Sequence, residues 1–192
     1  MHKNRLEAFS DGVIAIIITI MVLEIKVPHN SEIEALINLV PLFLSYVISF
    51  LYVGIYWNNH HHLFQSVQRV DGRVLWSNLF LLFWLSLIPF ASGWMGENHF
   101  ESNTVTLYGV ILLMCAFAYY VLTVSLLRNH KQESIIHQAV GNKFKERISL
   151  FVYVLALIIS IWVPKLAFGL YSVVALLWLY PDSRIEKMLS KE

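Results

Sequence analysis

Six stretches of this chain are too apolar and too long to be ordinary loops or surface helices. A helix needs about 20 mostly apolar residues to cross the hydrocarbon core of a bilayer. The candidates are 9–27, 35–57, 74–94, 104–127, 148–163 and 166–180. The second is closed by W-N-N-H-H-H, and the third contains Pro89. The last two are short and separated only by Pro164 and Lys165, which predicts a tight hairpin. The expected fold is therefore an all-α integral membrane protein, with one six-helix transmembrane domain over 1–192.

Composition agrees with that reading. Of the 192 residues 57% are apolar and only 14% charged, against roughly a quarter charged in soluble domains. A net charge of +1 gives no sign of a nucleic-acid partner. The single cysteine, Cys115, lies in an apolar run and reads as a small buried hydrophobe. The N-terminal run carries Asp11 and lacks a small-residue cleavage site, so it reads as a retained first span rather than a signal peptide.

Basic residues set the expected orientation. With the N-terminus inside, twelve of the fourteen Lys and Arg fall on inner segments, leaving Lys26 and Lys165 outside. Both termini are then cytoplasmic, in the plasma membrane. The outer loops carry Glu24, Glu32, Glu34, Glu97 and Glu101, either by depletion of positive charge or as a mouth that concentrates cations. Tyr56, Trp57, Trp76, Trp94, Trp162 and Tyr180 near span ends read as an interfacial belt. Pro41 and Pro89 are expected to kink their helices.

On a helical wheel, Gly12, Ile16, Thr19, Ile20 and Leu23 form one stripe of the first span, with Val13, Ile17 and Met21 elsewhere. That stripe either packs on other helices, with Thr19 bonding its own i−4 carbonyl, or forms an apolar constriction that closes by dewetting. Asp11 falls about 100° or more from the centre of the stripe. A carboxylate there needs a partner. Arg5 lies about 9 Å below it along the axis. The end of the second span offers closer company, so the expected tie is to His60 or His61, with Asn59 and Trp57 nearby. Three adjacent histidines do not suggest zinc, because neighbours on a helix diverge by about 100°. A proton-sensing role fits them better. No nucleophile–base pair or phosphate loop suggests an enzyme, and no cofactor is expected.

R-L-E-A-F-S-D at the start of the first span resembles the R-x-x-x-F-S-D signature of the lysosomal potassium channel family, transmembrane protein 175. W-N-N-H-H-H-L-F in the second span is similar to that family's Trp and His stretch. Arg5, Phe9, Ser10 and Asp11 match the signature. The resemblance implies a homotetramer of single six-span repeats, with K⁺ flowing down a central axis lined by the first helix. It implies an apolar gate at Ile16, five residues after the motif aspartate, and a selectivity position at Thr19, eight after it. Ile20 and Leu23 would continue the gate outward. The T-V-G-Y-G filter of other potassium channels is absent from this sequence. The expected function is passive K⁺ flux, with K⁺ and other monovalent cations, the lipid bilayer and further copies of the chain as partners. The rival is a proton-coupled secondary transporter acting through Asp11 and the histidines.

Overall fold

The computed structural model describes residues 3–29, 31–65, 67, 70–128 and 143–179. All regular structure there is helical. In chain order the helices are α1 (Lys3–Leu23), α2 (Ile33–Asn38), α3 (Val40–Gln65), α4 (Gly72–Ser86), α5 (Ile88–Glu97), α6 (Ser102–Arg128), α7 (Lys143–Ser160) and α8 (Pro164–Leu179). Four segments are long and apolar enough to cross a membrane: α1, α3, the α4–α5 pair and α6. Helices α7 and α8 are shorter. The polar segment after Arg128, together with several of the basic residues used for orientation and Tyr180, lies outside the described residues.

Helix boundaries follow local chemistry. Asp71 caps α4, its carboxylate accepting from the Val74 amide at 3.0 Å. Pro89 lacks an amide to continue the ladder. The third apolar stretch accordingly breaks at Leu87 and restarts as α5, with Pro89 in its first turn. Pro41 acts differently from the expected kink. It is the second residue of α3, where a missing N–H costs nothing, and the break falls just before it at Leu39. Likewise α3 does not close at Trp57. It runs two turns further to Gln65, so the three histidines lie inside a helix. Pro164 is not a linker residue but the first residue of α8.

Helix α6 packs against α4, α5, α7 and α8, while α1 rests on α3, α4 and α5. Cys115 is fully buried with Tyr108, Leu112 and Leu122 of the same helix. Side-chain hydroxyls tie off a helix end at the edge of the bundle. Ser102 Oγ donates to the carbonyl oxygens of Ser160 and Ile161 at 2.9 and 3.2 Å. These are orphan acceptors at the end of α7. Deeper in, Ser49 Oγ donates to Ser92 Oγ and meets Tyr108 Oη, both at 2.9 Å, joining α3, α5 and α6. Tyr52 Oη donates to the Tyr171 carbonyl at 2.6 Å. Tyr56, expected in the interfacial belt, is instead buried against Tyr119.

Two glycines permit the closest helix approaches. A Cβ on Gly96 would lie 2.5 Å from Ser45 Oγ and 2.6 Å from Leu42 Cα, and one on Gly109 would collide with the Tyr171 hydroxyl. Small residues at such crossings let packing forces act where lipid supplies no hydrophobic drive. Gly96→Ala should therefore cost about 1–3 kcal/mol through overpacking. Thermal unfolding in detergent, followed by size-exclusion chromatography, should show a lower midpoint than Gly12→Ala, since a Cβ at Gly12 meets nothing.

Candidate ion pathway and its supporting network

Helix α1 divides into two faces. Leu6, Ser10, Ile14, Ile17 and Met21 are buried. Their three- and four-residue spacing forms one stripe toward α3, α4 and α5. On the opposite side Phe9, Gly12, Ile16, Thr19, Ile20 and Leu23 are exposed. Ile16 is 59%, Ile20 42% and Leu23 73% accessible. The stripe drawn from periodicity is thus uncovered within one chain. Packing against the chain's own helices does not account for it among the described residues.

A directed chain of hydrogen bonds fixes the rotation of α1. Ser10 Oγ donates to the Leu6 carbonyl at 2.9 Å. Its oxygen accepts from Asn78 Nδ2 at 2.9 Å. Asn78 Oδ1 lies 2.8 Å from His60 Nε2. With the Asn78 amide committed to Ser10, Oδ1 is an acceptor and His60 Nε2 must donate. Ser10, Asn78 and His60 are all buried. The chain therefore links α1, α4 and α3 where water does not compete.

Beside it runs an antiparallel ladder between α1 and α3. Lys3 Nζ donates to the Phe64 carbonyl at 3.3 Å. His61 Nδ1 meets Glu7 Oε1 at 3.2 Å. Trp57 Nε1 donates to Asp11 Oδ1 at 3.0 Å. The α1 rungs recur every four residues, one per turn, so each falls on the same side of the helix. Gln65 Nε2 sits 2.8 Å from His61 Nε2, and the Trp57 and His61 rings stack at 6.1 Å. If Gln65 donates, the His61 proton lies on Nδ1, facing Glu7.

These contacts correct the expected clasp. Neither histidine bonds Asp11; its partner is Trp57. His60 points to α4, because it lies 100° round α3 from His61. The Asn59 carbonyl receives Tyr119 Oη at 3.3 Å. Arg5 is exposed and forms no ion pair with Asp11 among the described residues. Phe9, also exposed, stays out of the network. Asn78, Glu7, Gln65 and Lys3 were not foreseen. Asn78 had a signal, a lone amide inside the apolar run W-S-N-L-F-L-L-F-W. Glu7 had another, one turn before Asp11 on the same side. The three histidines diverge as helix geometry requires. No group of three His, Cys, Asp or Glu that could hold a metal occurs among the described residues.

The family described as endosomal/lysosomal potassium channel TMEM175 matches residues 5–89, which take in α1 from Arg5 onward, all of α3 and Asn78. A potassium channel of Chryseobacterium sp. (strain P1-3) is 55% identical over 191 residues, covering all of both chains. The chain belongs to the TMEM175 family. A crystal structure titled as a lysosomal potassium-selective channel TMEM175 homolog from Chamaesiphon minutus superposes with a TM-score of 0.81. It is 29% identical and covers 92% of this chain and 96% of its own. The Gallus gallus protein named endosomal/lysosomal proton channel TMEM175 is 32% identical over 152 residues, which is 70% of this chain and 30% of that protein. TMEM175 proteins are ion channels, not enzymes, and this member is a multi-pass membrane protein.

The network ranks its own members. Removing Asn78 strands two buried partners, at about 1–3 kcal/mol for each unsatisfied group. Asp11 is only half-buried and its rung faces an exposed indole. Thermal stability should fall most in Asn78→Ala, less in Asp11→Ala, and least in Asp11→Asn, which keeps an acceptor for Trp57. Equal midpoints for Asn78→Ala and the exposed control Ser86→Ala would remove the network from this role.

Proposed function

We propose that the protein is a potassium-permeable cation channel of the plasma membrane, with four copies placing the exposed face of α1 around a shared axis. The observation that carries this reading is the uncovered apolar face of α1, backed by bonds that hold the opposite face. Six spans per chain, with α7 and α8 as the short fifth and sixth, would leave both termini cytoplasmic. The relatives named potassium channels supply the ion.

Ile16, Ile20 and Leu23 then form apolar rings that exclude water when narrow. Thr19 suits an ion site in one specific way. Its Oγ1 donates to the Ala15 carbonyl at 2.9 Å. The proton is thus committed along the helix, and the oxygen lone pairs remain on the exposed side. A cation shedding part of its water needs acceptors of that kind. Arg5, Phe9, Ser10, Asp11, Trp57, His60 and His61 stay grouped as the motif residues, with Ser10, Asp11, Trp57 and the histidines orienting α1.

The proton-coupled transporter draws less support. Asp11, His60 and His61 make their bonds within the α1–α3 and α3–α4 contacts rather than across the exposed stripe. The channel reading expects large ohmic K⁺ currents from purified protein in a planar bilayer. Saturable flux coupled to a pH gradient would favour the transporter. Ile16→Asn should wet the constriction, raise conductance several-fold and weaken K⁺ preference over Na⁺; unchanged currents would remove the gate. Thr19→Val should retain current while shifting the bi-ionic reversal potential toward zero.

A further inference from the structure

Two signature residues take no part in the network that orients α1, and one of them carries a charge. On a regular helix Arg5, Gly12, Ile16 and Leu23 fall within about 40° of one another. All four are exposed. The acidic side chains of the same segment lie elsewhere: Glu7 faces His61 and Asp11 faces Trp57, both on α3. Lys3 also turns to α3, where it meets the Phe64 carbonyl. The N-terminal turns of α1 thus separate their charges, with acids and Lys3 toward α3 and the Arg5 guanidinium alone on the stripe. Arg5 precedes Ile16 by eleven residues, about 16 Å along the axis.

We infer that the Arg5 guanidiniums of the assembled copies form a ring of positive charge at the N-terminal mouth of the conduction path, where they lower the local cation concentration and limit current entering from that side. The inference rests on the reading that the α1 stripe faces a shared axis. A guanidinium stays charged at any working pH, so the barrier is permanent rather than titratable. Fixed charge at a narrow mouth acts over a Debye length, about 10 Å at 0.1 M salt and about 3 Å at 1 M. Its signature is a conductance asymmetry that salt removes.

The test is single-channel recording of assembled wild-type, Arg5→Gln, Arg5→Lys and Ile16→Asn protein in planar bilayers, in symmetric 0.1 M and 1 M KCl. At 0.1 M, Arg5→Gln should carry roughly twofold or more larger current for K⁺ entering from the N-terminal side. Arg5→Lys should resemble wild type, and at 1 M the difference should largely vanish. Wild-type rectification should also weaken between 0.1 M and 1 M. Equal currents for Arg5→Gln and wild type at 0.1 M, with Ile16→Asn altered, would overturn this inference alone. If neither Arg5→Gln nor Ile16→Asn changes the current, the axial placement of the stripe falls as well. Failure of Arg5→Gln to assemble, with Arg5→Lys intact and wild-type rectification insensitive to salt, would make Arg5 a tie to a carboxylate of a neighbouring copy and overturn the ring.

Discussion

The hydrogen-bond chain from His60 through Asn78 and Ser10 to the Leu6 carbonyl is the constraint on which the arrangement of α1 depends. A helix in a bilayer has no hydrophobic penalty for rotating, because lipid tails are as apolar as isoleucine. Aliphatic packing alone would hold the azimuth of α1 weakly. A buried polar chain is different, since each misplaced group would go unpaired in a medium without water. Each link has one donor and one acceptor, so the chain fits one rotation of the helix.

That rotation decides what the rest of α1 can do. With Ser10 turned inward, Ile14, Ile17 and Met21 follow it into the bundle. Ile16, Thr19, Ile20 and Leu23 are then delivered to the outside, although their composition scarcely differs from the buried row. The ladder from Lys3, Glu7 and Asp11 to α3 extends the same constraint along about two turns of α1. Polar groups thus do the positioning, and plain aliphatics are left to face the path. In this reading Ser10 and Asp11 of the signature are a mounting rather than a site of ion contact, while Arg5 and Phe9 stand outside it.

Much of the fold was legible because membrane helices announce themselves by length and hydropathy. The membership of the α1 stripe followed from spacing alone, since a 3.6-residue period separates Ile16 from Ile17 whatever the neighbours are; its exposure did not, because the same spacing also suits a packed face. The break at Leu87 was readable from Pro89. What sequence could not supply was the rotation of α3 and α4 against α1. Whether Asp11 met His60, His61 or Trp57 turned on about 100° of azimuth, and the histidine at position 60 was claimed by an amide 18 residues further on. The failed kink at Pro41 has a similar cause: a proline's effect depends on whether a helix begins before or after it.

The central claim is that the exposed row of α1 borders the ion path while the buried row does not. Its most direct test is modification of single cysteines by a charged methanethiosulfonate reagent during recording. The native Cys115 is fully buried and gives a quiet background. Substitution at Gly12 and Leu23 should let the reagent reduce K⁺ current by more than half, while Ile14→Cys and Ile17→Cys should leave it unaffected. Block at Ile14 or Ile17 with none at Gly12 and Leu23 would place the path on the other face of α1 and contradict the account.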